Sequence, residues 1–226
     1  MLNSSEIGKH ILAYIGPYSI HVDTLLLSWL VMAVLVVSAW LVTRRLDKLP
    51  HGVQSLLEAL YEFLQNLMQE NMSPKGYSAF PYLATLFLFI LFANLLGVVA
   101  GLLLPQFKSP TGDLNVTMAM ALVVFLLSQV YAVKTHGLKG YLVSFFKPNP
   151  LFLPLNLIEL ITRPLTLAFR LFGNIFAGEV LLVILYLLVP VVIPTVWSAF
   201  SVFIGVIQAY LFLMLGIAYI SSSIEE

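Results

Sequence analysis

Apolar residues fall along this chain in long runs, and the length of each run is the first clue to what it forms. The first run covers 22–43. It ends at Arg44-Arg45-Leu46-Asp47-Lys48, a basic cluster of the kind that anchors a helix on the cytoplasmic face of a membrane. Residues 51–72 follow a different rule. Val53, Leu56, Leu57, Leu60, Leu64, Leu67 and Met68 recur at helical spacing, with Glu58, Glu62, Gln65 and Gln69 between them. That pattern predicts an amphipathic helix lying along the cytoplasmic interface.

Two further apolar runs, 79–104 and 115–135, are joined by a polar turn rich in Ser109-Pro110-Thr111-Gly112-Asp113. They read as a membrane hairpin. Pro105 closes the first, and Lys134, Lys139 and Lys147 follow the second, which places that loop on the same side as Arg44 and Arg45. The last third, 151–222, reads as one long hairpin turning at Pro190 and Pro194. Its first arm, Leu151 to Val189, would be about 58 Å long as a helix, against a hydrocarbon core of about 30 Å. It must be steeply tilted, broken, or laid across the membrane. The expected fold is therefore all-α and polytopic. Five membrane helices and one amphipathic interfacial helix form a single membrane domain over 1–226. The N-terminus falls outside and the C-terminus in the cytoplasm.

Composition agrees with a membrane chain. Hydrophobic residues make up 60% and charged residues 10%, with a mean hydropathy of +0.98. A soluble domain carries about a quarter charged residues. The 11 basic and 11 acidic residues cancel, so no nucleic-acid partner is implied. With no cysteine, thiol and disulfide chemistry is excluded. His10, His21, His51 and His136 are scattered, without metal-ligand spacing, and no metal or cofactor is called for. The first ten residues lack the basic start and short apolar core of a signal peptide. The expected home is a bacterial cytoplasmic (inner) membrane.

The candidate chemistry lies in the long arm, which carries Glu159, Arg163, Arg170 and Glu179 inside an apolar run. Ionisable groups at membrane depth are expensive and usually functional. On a helical wheel with Glu159 at zero, Arg170 falls near 20°, Arg163 near 40°, and Asn156 and Asn174 near 60°. Glu179 falls near 200°, about 13 Å beyond Arg170 along the axis. Glu159 and Arg163 have the i, i+4 spacing of an ordinary ion pair. Arg170 has no acid at such a spacing, and a guanidinium stays charged when buried. It is a fixed cation in need of an anion from another subunit. Two carboxylates on opposite faces and at different depths suggest two polar routes, with Glu179 outside and Glu159 inside. Gly173, Ala177 and Gly178 permit close approach to neighbours. Gln208, deep in the last helix, is placed to hydrogen-bond Arg170.

The run Arg170-Leu171-Phe172-Gly173-Asn174-Ile175-Phe176-Ala177-Gly178-Glu179 resembles the signature of subunit a of the F-type ATP synthase. Pro154–Glu159, Pro164–Leu167, Gln208–Phe212, Asp113–Thr117 and, more weakly, Asn94–Gly97 are similar to the same family, in order along the chain. The resemblance implies a stator beside a rotating ring of c subunits, held by b-type peripheral-stalk subunits. It would itself be non-catalytic and would conduct protons, or sodium ions, through two half-channels. Arg170 would face the ring carboxylate. Glu179, Asn174 and Gln208 would belong to the outer route or the arginine's surroundings, and Glu159 to the inner route, with Asn156 where some relatives carry the acid. Some relatives have a histidine or glutamate where this chain has Ser201, and some an aspartate where it has Gly97. The outer route here would then rest on Glu179 with water and hydroxyls. A small-solute secondary transporter is the alternative, although no internal repeat is visible. An intramembrane enzyme lacks a credible catalytic set, and a purely structural scaffold would not need Arg170 and Glu179.

Overall fold

A computed structural model describes residues 12–15, 18–44, 52–103, 109–146, 149–189 and 192–225. The first eleven residues, most of the basic cluster after Arg44, Pro105, Lys147 and Pro190 lie outside this set. Six α-helices are described: α1 (Val22–Thr43), α2 (Val53–Asn71), α3 (Phe80–Leu103), α4 (Leu114–Ser144), α5 (Leu153–Leu188) and α6 (Val192–Glu225). Five of them, all but α2, are long and apolar enough to cross a membrane.

An element absent from the sequence reading precedes α1. Strands β1 (Leu12–Ile15) and β2 (Tyr18–His21) pair antiparallel, with Leu12 opposite His21 and Ile15 opposite Tyr18. Each is only four residues long, too short to stand out against the apolar background.

The centre of the molecule is the contact of α3 with α6, onto which α4 and α5 pack. Helices in lipid gain little by hiding apolar surface from one another, so close approach and polar bonds must hold them. Both are present. A Cβ on Gly216 would stand 2.9 Å from Leu83, and one on Gly205 would stand 3.0 Å from Asn94. The Asn94 carboxamide donates to the Gly205 carbonyl at 2.9 Å. Its oxygen accepts from Thr111 at 2.6 Å, and Thr111 in turn meets the Ser109 hydroxyl at 2.7 Å. All three side chains are buried. This network pins the 3-10 turn Pro110–Gly112 onto α3 and sets where α4 begins.

The Asp113 side chain caps α4, accepting from the Asn115 backbone N–H at 2.9 Å. The helix continues past residue 135, where the apolar run stops, to Ser144. It is interrupted at Gly137, which takes φ +70°, a conformation that L side chains rarely adopt. Beyond the break the chain folds back, and the Tyr141 hydroxyl donates to Gln129. In α1 only Asp23, Thr24, Leu27 and Val31 are buried, so the helix meets the core by one stripe of its first half. Helix α2 buries Leu64 and Met68 in the core, while Leu56, Tyr61 and Phe63 stand exposed.

Candidate functional site

Helix α5 is one continuous element of 36 residues, about 54 Å long, running through Pro164. Proline removes the N–H that would reach the carbonyl four residues back. Pro164 is itself buried, next to the stripe Leu167, Ala168 and Leu171 that seats α5 on the core. The polar stripe therefore points elsewhere. Glu159, Arg170 and Asn174 are exposed on the chain's surface, while Arg163 and Asn156 are half-buried.

The sequence-derived residues separate into distinct groupings. Arg163 donates to Glu159 Oε1 through Nε at 3.1 Å and through a terminal nitrogen at 2.8 Å. Its other terminal nitrogen reaches the Ser222 hydroxyl of α6 at 3.2 Å, so this arginine ties α5 to the end of α6. With the Glu159 side chain 52% exposed, such a pair contributes at most about 1 kcal/mol. Asn156 donates to the Phe145 carbonyl at 2.8 Å. Asn156, Glu159 and Arg163 line a cavity of about 380 Å³. Gln129, His136, Tyr141 and Ser144 of α4 and Ser223 of α6 close the other walls. The sequence reading named none of these five for a role. They converge only because α4 breaks at Gly137.

Arg170 stands apart. Among the described residues it has no hydrogen bond and no ion pair, including none with Gln208. The expected Arg170–Gln208 contact is replaced by another. Gln208, 2% exposed, accepts through Oε1 from the Asn174 carboxamide at 2.6 Å. Asn174 lies one turn beyond Arg170, so α6 is linked to the residue beside the arginine. A Cβ at Gly173 or Gly178 would meet nothing within 4 Å. The chain's own helices pack through Gly205 and Gly216, and leave the glycines near Arg170 open.

Glu179 is half-buried and lies against the turn before α4. Its Oε1 would be 3.1 Å from a Cβ on Gly112, so the missing side chain there makes room for the carboxyl. Nearby, Trp197 Nε1 donates to the Gly178 carbonyl at 3.1 Å, fastening α6 to α5. Ser201 turns its hydroxyl to its own helix, donating to the Trp197 carbonyl at 3.0 Å. Gly97 packs against Ser109, where a Cβ would fall 2.4 Å from the serine Cβ. An aspartate there could not be accommodated without moving that turn.

The arrangement is that of a polytopic helical membrane protein with a fixed cation on an outward face and a carboxylate on either side of it along one helix. The family described as ATP synthase A chain matches residues 25–221, and this chain belongs to it. It is 38% identical to ATP synthase subunit a of Moorella thermoacetica over 94% of each chain. It is 42% identical to ATP synthase subunit a of Desulforamulus reducens, covering 92% of this chain and 81% of that one. The figure is again 42% for ATP synthase subunit a 1 of Syntrophotalea carbinolica, over 88% and 84%. Membership of this family, with five helices long enough to span, makes the chain a multi-pass bacterial membrane protein. It also removes the solute-transporter alternative.

Proposed function

We propose that this chain is the ion-conducting stator subunit of an F-type ATP synthase, with Arg170 facing the carboxylate of a rotating c-ring. The observation that carries the reading is the state of Arg170. It is a permanent charge on an exposed face of an apolar helix, without an anion among the described residues, and on the same helix as two glycines whose approaches are open. A ring helix fits both needs, bringing the carboxylate and filling the space over Gly173 and Gly178. The b-type stalk subunits would hold the stator against the ring.

Two half-channels follow from the placement of the acids. Glu159 and Glu179 are 20 residues apart on one unbroken helix, about 30 Å, with Arg170 between them. That span matches the hydrocarbon core. Glu159, beside the cavity under the α4 break, serves the cytoplasmic route, with Asn156 on its wall. Glu179, against the turn at Gly112, serves the outer route, with Ser201 of α6 assigned to the same route. Asn174 and Gln208 hold the helix face beside the arginine. The orientation is N-terminus outside and C-terminus cytoplasmic, set by the lysines and arginines of the α1 and α4 ends. An ion crossing fully gains about 2.3 kcal/mol per 100 mV, and Arg170 keeps that gain from being lost as a direct leak. The coupled ion is a proton, with sodium as the alternative.

The test is Arg170→Gln in the whole synthase, reconstituted in vesicles. ATP-driven proton pumping should vanish while the complex remains assembled. Normal pumping by an assembled complex would sink the reading.

A further inference from the structure

We propose that His21 is a proton-transfer residue at the mouth of the outer route, acting with Asp113 and delivering toward Glu179. The proposal rests on the half-channel reading and names a participant that reading leaves out.

Three observations carry it. His21 closes β2 just before α1, and its Nδ1 lies 2.5 Å from Asp113 Oδ2, across 92 residues of chain. The His21 side chain is 27% exposed and that of Asp113 5%, so the pair runs from the surface inward. The other Asp113 oxygen is occupied by the N-cap bond to Asn115, leaving Oδ2 for the imidazole. Gly112, the residue before Asp113, is the one against which the Glu179 carboxyl rests. Imidazole, aspartate and glutamate thus sit on or against one 3-10 turn. The network of Asn94, Thr111 and Ser109 holds that turn rigid.

The chemistry suits the gap in the route. Ser201 offers no titratable group on α6. Histidine is the side chain whose ordinary charge change falls between pH 5 and 8, the range a proton inlet must work in. A proton from bulk water binds Nε2, and the proton on Nδ1 passes to Asp113 Oδ2. The carboxylic acid then yields its proton toward Glu179, and the ring recovers its first tautomer by exchange with bulk water. Asp113 is in direct contact with His21, Asp23 lies two residues on in the first turn of α1 and is 1% exposed, and Glu179 rests against Gly112, next to Asp113.

The bland competitor is a clasp, in which the pair only fastens the hairpin to the turn. His21→Asn separates the two, because an amide N–H can still donate to Asp113 but cannot carry a proton. The synthase containing this variant is reconstituted in vesicles, and acid-driven ATP synthesis is followed while only the outer-side pH is varied. The expected result is a rate about tenfold lower with a weaker dependence on outer-side pH, partly restored by added imidazole. A clasp predicts the wild-type rate and profile. That outcome, or a loss that imidazole does not relieve, overturns the proposal. Arg170→Gln in the same vesicles keeps the two ideas apart. If it abolishes coupling while His21→Asn is normal, the half-channels stand and His21 is not their inlet. If it leaves coupling intact, the parent reading has failed.

Discussion

Asn174 donates its carboxamide proton to Gln208 Oε1 at 2.6 Å, joining an exposed residue of α5 to a buried one of α6. The two ends of this bond do not respond alike to substitution. Asn174→Ala strands a buried acceptor, which costs about 1–3 kcal/mol. Gln208→Ala leaves an exposed donor that finds another partner, and opens a small void instead. Thermal inactivation of the purified complex should therefore show Asn174→Ala as more than a surface change, with a clearly lowered midpoint.

Arg170→Lys is expected to fail almost as completely as Arg170→Gln. A lysine loses its proton readily when desolvated, while a guanidinium does not. Passive proton leak through de-energised vesicles, measured beside ATP synthesis, should rise for lysine at alkaline pH and stay low for the parent protein.

Gly173→Ala and Gly178→Ala meet open space within the chain. Neither should disturb the fold of the subunit. On the proposed docking both should weaken association with the ring. The check is the ratio of ring to stator recovered after detergent extraction. Unchanged recovery and unchanged pumping for both variants would show that this face carries no partner.

Gly97→Ala places a methyl 2.4 Å from the Ser109 Cβ and should destabilise by about 1–3 kcal/mol. Ser109→Gly in the same chain should return part of that loss, because it removes the atom that is struck. A double-mutant cycle on thermal stability reads the coupling directly.

Arg163→Gln removes an exposed ion pair and should change stability by no more than about 1 kcal/mol. Its effect belongs to the inner cavity. Loss of the guanidinium from that wall should alter the dependence of the pumping rate on cytoplasmic-side pH and leave the outer-side dependence unchanged.

The helical architecture was legible because span length is a property of a run, and a run needs no knowledge of the fold. The i, i+4 spacing of Glu159 and Arg163 was legible for the same reason. What escaped was pairing between distant positions. His21 and Asp113 are 92 residues apart, Asn94 and Gly205 are 111 apart, and each looked isolated along the chain. Depth along the helix pairs Gln208 with Arg170, whereas side-chain reach within the helix pair gives it to Asn174. The inner cavity was invisible because it depends on Gly137, a glycine whose positive φ is one of several conformations open to it. The hairpin is not legible because strands of four residues are too short to show a period of their own.

The open guanidinium of Arg170 has a consequence for how the protein is made. A charge at the bilayer centre costs about 2.5–3.5 kcal/mol on insertion scales. The chain alone carries that penalty, and on the proposed docking the finished complex does not. Insertion of this subunit and arrival of its anionic partner then become thermodynamically linked, since each copy inserted without a ring is held in a less stable state. Copies made in excess of rings would be the ones that membrane proteases find.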